Sequence, residues 1–102
     1  MAERRSEPRI EIGTSVVMTP LAAVATRLKA SVVNVSRRGI RVHVGAQMKE
    51  LPRAGEVYRV QSHDDLMLCE VRNSCRTATG AHLGLHIVHW GAAGELNRLV
   101  QD

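Results

Sequence analysis

The chain has 102 residues, 44% of them hydrophobic and 24% charged, with a formal net charge of +4. That length closes one hydrophobic core and no second, and the balance of apolar and charged residues excludes a disordered chain. The longest apolar runs fall far short of the roughly 20 residues a membrane-spanning helix needs, and no basic, apolar and small-residue succession opens the chain, so the expectation is one cytoplasmic domain with no membrane span.

Residues 1–8 are charged, contain Pro8 and show no apolar period. Residues 1–9 therefore read as a flexible arm, followed by a single domain over 10–102. From Ile10 to Met18 the pattern alternates, placing Ile10, Ile12 and Val16 on one side of an extended chain. Thr19-Pro20 reads as a turn. Leu21, Val24 and Leu28 have helical spacing, but the preferred reading is a loop leading into a strand near Lys29. Ala30 to Val35 is rich in β-formers, and Ser36-Arg37-Arg38-Gly39 breaks it. Ile40 to Val44 alternates, with Ile40, Val42 and Val44 on one face and Arg41 and His43 on the other.

Pro52 and Gly55 punctuate the next stretch. Val57 to Val60 reads as a strand, His63-Asp64-Asp65 as a polar turn, and Leu66 to Val71 as another strand. Thr77 to Gly80 turns the chain into Leu83 to Trp90. There Leu83, Leu85 and Ile87 share one face. Leu96, Leu99 and Val100 have helical spacing, predicting a short C-terminal helix from about residue 92. Short strands with frequent turns imply an all-β barrel or sandwich. Cys69 and Cys75 fit no zinc or redox spacing, and Cys69 reads as a small core residue. His82, His86 and His89 lie close together, but strand alternation sends His89 to the face opposite His82 and His86, which speaks against a metal site.

The basic excess is local. Residues 1–42 hold eight Arg/Lys and three acids, a net of +5, while the remainder nets −1. Such a bias concentrates anionic partners: nucleotides, nucleic acids or acidic proteins. Two patterns lie in this half. The first is Arg4-Arg5-Ser6-Glu7-Pro8-Arg9, with an R-x-x-x-R spacing. Pro8 disfavours a helix by restricting Glu7 to extended geometry. Guanidinium groups pair bidentately with phosphate or with guanine O6 and N7, and they stack on bases. The second is Asn34-Val35-Ser36-Arg37-Arg38-Gly39. Asn34 and Ser36 supply donors and acceptors, and Gly39 permits positive φ and close approach of a backbone or ligand. Each pattern alone is also an ordinary basic terminus or an ordinary turn.

Together, in this order, the patterns resemble the PilZ domain family, whose signature is R-x-x-x-R, a strand pair, then (D/N)-x-S-x-x-G. Arg5 and Arg9 match the first part; Asn34, Ser36 and Gly39 match the second. Gly39-Ile40-Arg41-Val42 is similar to the family's following strand, and Leu83-Gly84-Leu85-His86-Ile87 to its late strand, with Ile87 replacing an aromatic. The similarity extends over residues 3–90. It implies a six-stranded antiparallel β-barrel that binds cyclic di-GMP and is not an enzyme. Arg5 and Arg9 would clamp guanines and phosphates, and Asn34, Ser36 and Gly39 would contact a guanine. Arg4 stands where family members that take up a stacked pair of ligands carry an arginine. Arg37, Arg38, Arg41 and His43 are further ligand-adjacent candidates. The implied protein has no cofactor beyond its ligand, and its effector is an unidentified partner protein. A single-stranded nucleic-acid-binding barrel also suits the charge, but Tyr58 and Trp90 are the only aromatics available for base stacking, so nucleic acid is disfavoured. A ligand-independent adaptor of the same fold is the remaining alternative, and the intact motif residues speak against it.

Overall fold

The computed structural model describes residues 10–22, 27–45, 48, 50–63 and 65–92. Six strands run in chain order: β1 (Ser15–Pro20), β2 (Leu28–Val35), β3 (Gly39–Val44), β4 (Val57–Gln61), β5 (Asp65–Thr77) and β6 (Gly80–Ala92). They close a barrel in the order β1-β2-β3-β6-β5-β4, with β4 returning to β1. Every pairing is antiparallel. Closure leaves no strand without a neighbour on either side.

Alternation builds the interior. Val16 and Met18 of β1, Val32 of β2, Val42 and Val44 of β3, Val60 of β4, Met67, Cys69 and Val71 of β5, and Leu83 of β6 are all at most 2% exposed. The chain has no phenylalanine, so branched aliphatic and methionine side chains fill this narrow barrel. Their stiff rotamers suit the pleated wall. Burial pushes the Cys69 thiol up to about 12 from its ordinary value, because a thiolate loses its hydration there.

Three irregularities re-aim side chains. The β2–β3 register shifts between Val32 and Asn34. The β5–β6 register shifts between Leu68 and Cys69, where Val88 is the extra residue, and again between Val71 and Asn73, where Arg72 is. Each such bulge reverses the parity of the residues beyond it.

Several sequence expectations change here. Ile12 does not share a face with Ile10 and Val16: it is 68% exposed, while Ile10 is buried. Gly13, at φ +96°, turns the chain between them, and the Thr14 amide donates to the Glu11 carbonyl at 3.1 Å. Thr19-Pro20 is not a turn but the end of β1, with Pro20 opposite Tyr58. A strand end tolerates the missing N–H of proline, and Leu21 continues the ladder by donating to the Val57 carbonyl at 3.1 Å. Asp65 opens β5 instead of standing in a solvent turn, and it is buried. β5 and β6 each run 13 residues, beyond the Leu66–Val71 and Leu83–Trp90 expected. His89 is exposed and opposite Leu68, on the same outward side as His86, because the Val88 bulge reverses parity. The arm over residues 1–9 and the helix expected from about residue 92 lie outside the described residues, except that Ala92 itself ends β6. No helix among the described residues is long and apolar enough to cross a membrane.

Candidate functional site

The turn between β2 and β3 is tied down locally. The Ser36 amide donates to the Gly39 carbonyl at 2.9 Å, and the Ser36 hydroxyl donates to the same oxygen at 3.2 Å. The Val35 amide donates to Asn34 Oδ1 at 2.8 Å. These are the bonds expected of an ordinary polar turn. They leave the Asn34 carboxamide nitrogen with no partner among the described residues. The turn also docks on β6, because the Ile87 amide donates to the Arg38 carbonyl at 2.7 Å.

Gly39 is required by that docking. A Cβ at this position would sit 2.7 Å from the Leu85 carbonyl oxygen and 3.3 Å from Ser36 Oγ. Positive φ, the other use expected of Gly39, is not adopted: only Gly13, Gly55 and Gly80 have it among the described residues.

Cross-strand register carries the site away from the turn. Asn34 lies opposite Arg41, Arg41 opposite Gly84, and Gly84 opposite Asn73. These four residues form one row across β2, β3, β6 and β5. Arg41 is exposed between the buried Ile40 and Val42, so the row lies on the outer wall of the barrel. A neighbouring row runs Gly39, His86, Glu70. The first row, Gly39 and His86 of the second, and the turn border a cleft of about 490 Å³, within the roughly 300–1,000 Å³ of small-molecule sites.

Arg38, Arg41 and Arg72 line this cleft, and among the described residues no carboxylate does. Arg72 Nε lies 4.0 Å from Glu70 Oε1, and the Arg72 side chain is 59% exposed. Three guanidinium groups around one cavity favour an anionic ligand.

Of the residues singled out from the sequence, Asn34, Ser36, Arg38, Gly39 and Arg41 converge on the cleft. Arg37 is exposed but does not line it. His43 is two residues along β3 from Arg41 and looks elsewhere. Its Nε2 lies 3.0 Å from Thr79 Oγ1, and its ring meets His82 edge-on at 5.2 Å. Arg4, Arg5 and Arg9 lie outside the described residues. Arg72, Asn73, Gly84 and His86 belong to the cleft and were not anticipated as part of it. The bulge at Arg72 hid Asn73, since simple alternation from Val71 turns that residue inward. Among the described residues, no group of three His, Cys, Asp or Glu side chains is placed to hold a metal ion.

The chain is thus a closed antiparallel barrel with an arginine-lined cleft on its outer wall. The family model for the PilZ domain matches residues 3–101. The chain belongs to the PilZ domain family, whose members are binding and adaptor domains for cyclic di-GMP and not enzymes. No match was found among curated proteins or among solved structures.

Proposed function

We propose that this protein is a bacterial, cytoplasmic cyclic di-GMP receptor whose N-terminal arginine arm closes over ligand held in the outer cleft. The observation that carries this reading is the convergence of Asn34, Ser36, Gly39 and three arginines on one cavity that no carboxylate among the described residues lines. Cyclic di-GMP is a dianion with two purine faces. Arg38, Arg41 and Arg72 meet its phosphates and the acceptor edges of guanine, and the free Asn34 nitrogen supplies another donor.

The start of the described chain supports the reach of the arm. Ile10 is buried in the core. Gly13 donates to the Val32 carbonyl at 2.7 Å, and Val32 donates to that of Thr14 at 2.9 Å. The chain just after Arg9 is thus fastened beside β2, two residues before Asn34. Arg5 is four residues further back, a reach of about 13 Å when extended. Ligand phosphates and guanines pin Arg5 and Arg9 against the cleft, and Arg4 admits a second, stacked ligand molecule. Ordering the arm costs entropy, which keeps affinity moderate. The covered cleft then presents a new surface to a partner protein.

Calorimetric titration of cyclic di-GMP into the protein and into Arg9→Ala and Ser36→Ala tests the site. Arg9→Ala loses about ten- to a hundred-fold in affinity, the effect of one charge-assisted contact worth roughly 1.5–3 kcal/mol, and binding also falls in Ser36→Ala. Full-strength binding by both variants would sink the assignment.

A further inference from the structure

We propose that Asn73, seated on Gly84, is the residue that selects guanine over adenine in this cleft. The inference rests on the cyclic di-GMP reading above and deepens it. Up to Val71, β5 alternates with Met67, Cys69 and Val71 inward. The extra residue Arg72 reverses that parity. Asn73 consequently stands outward, opposite Gly84 and in the row that also holds Arg41 and Asn34.

Gly84 gives the carboxamide a place to lie. A Cβ at residue 84 would come within 2.6 Å of Asn73 Oδ1 and 2.9 Å of Nδ2. The amide of Asn73 therefore occupies the space that any larger residue at 84 would take. It is exposed and makes no hydrogen bond to another described residue, so both its donor and its acceptor sides are open to a ligand.

The chemistry of the cleft makes the acceptor the valuable side. Arginine carries donors only, so Arg38, Arg41 and Arg72 can meet phosphates and the O6 and N7 acceptors of guanine. They cannot receive the N1–H and N2–H groups of that base. Asn34 Oδ1 has one of its two lone pairs engaged by the Val35 amide, and the Ser36 hydroxyl, which donates to the Gly39 carbonyl, remains an acceptor only. Asn73 Oδ1 supplies the open carboxamide acceptor. Adenine in the same pose sets the N1 acceptor and the C2–H against this oxygen, and its N6 amine then faces the arginine donors, so the contact is lost unless the base turns over.

The test is the ratio of dissociation constants for cyclic di-GMP and cyclic di-AMP, measured by competition on the full chain. Asn73→Ala narrows the ratio by about tenfold, the effect of one lost hydrogen bond. Gly84→Ala narrows it similarly with Asn73 still present, because the new methyl group displaces the amide. That displacement moves only a flexible side-chain end, so the barrel survives it. Asn73→Asp keeps the acceptor and keeps the ratio, while its charge weakens both ligands. A ratio unchanged in Asn73→Ala, with Ser36→Ala still impairing cyclic di-GMP binding, overturns the role of Asn73 and leaves the receptor reading standing. A wild-type chain that binds no cyclic di-GMP overturns both.

Discussion

Replacing Gly39 by alanine should loosen the barrel where the cleft is built. The added Cβ would stand 2.7 Å from the Leu85 carbonyl oxygen, against an ordinary contact of at least 3.4 Å. The obstacle is backbone in β6, which cannot swing aside like a side chain. β3 must retreat by several tenths of an ångström beside the Gly39–His86 pair, straining the bond from the Ile87 amide to the Arg38 carbonyl. Overpacking of this kind costs about 1–3 kcal/mol. Removing a glycine returns about 0.4–1 kcal/mol by restricting the unfolded chain. At the middle of both ranges the clash wins, leaving a net loss of about 1.3 kcal/mol, or roughly 5–10 °C in melting temperature for a domain this small. Gly45→Ala is the control, because its Cβ has no described neighbour nearer than His43 Cε1 at 3.9 Å. Thermal denaturation followed by circular dichroism compares the two. A Gly39→Ala protein that melts together with Gly45→Ala, or above the wild type, would refute close approach as the reason for glycine here.

Other consequences follow from the packing. Leu83→Ala empties a fully buried site and should cost about 2–5 kcal/mol in urea unfolding, whereas Val88→Ala, at a residue 57% exposed on the bulge, should stay within about 0.5 kcal/mol. Cys75 is exposed and Cys69 buried, so a thiol reagent at mild pH should label one cysteine in the native chain and both after denaturation; two rapid labels in the native state would contradict the burial of Cys69. The Cys69 thiol holds its proton to about 12 when folded, against an ordinary 9.0. Between those values unfolding releases a proton, so stability is intact below about pH 9 and falls as pH rises further. Tyr58, also raised, first by burial and then by Glu56, acts in the same direction. Melting temperatures from pH 8 to 10.5 should decline, and Cys69→Ala should flatten the decline.

The barrel was legible wherever alternation is strict. Ile40 to Val44, with buried apolar residues flanking Arg41 and His43, is that case, and so is the inward set Leu83, Leu85 and Ile87. Alternation failed where backbone geometry overrides side-chain pattern. Arg72 to Thr77 is polar and carries no apolar period, yet it pairs with β6 residue by residue after the bulge. Pro20 and Gly13 misled in opposite ways: the proline ends a strand and the glycine makes the turn. The turn half of the site could be read because its residues are contiguous from Asn34 to Gly39. Of the wall half only Arg41 could be read, because Gly84 and Asn73 meet it only through the register of three strands and a parity change at Arg72.

The central claim is that the outer cleft takes up cyclic di-GMP. Isothermal titration of the full chain with that dinucleotide tests it most directly, and it also counts ligands. Saturable binding of two molecules per chain, weakened by added salt as contacts to arginine require, is the expected result. No saturable binding at millimolar ligand and low salt would contradict it.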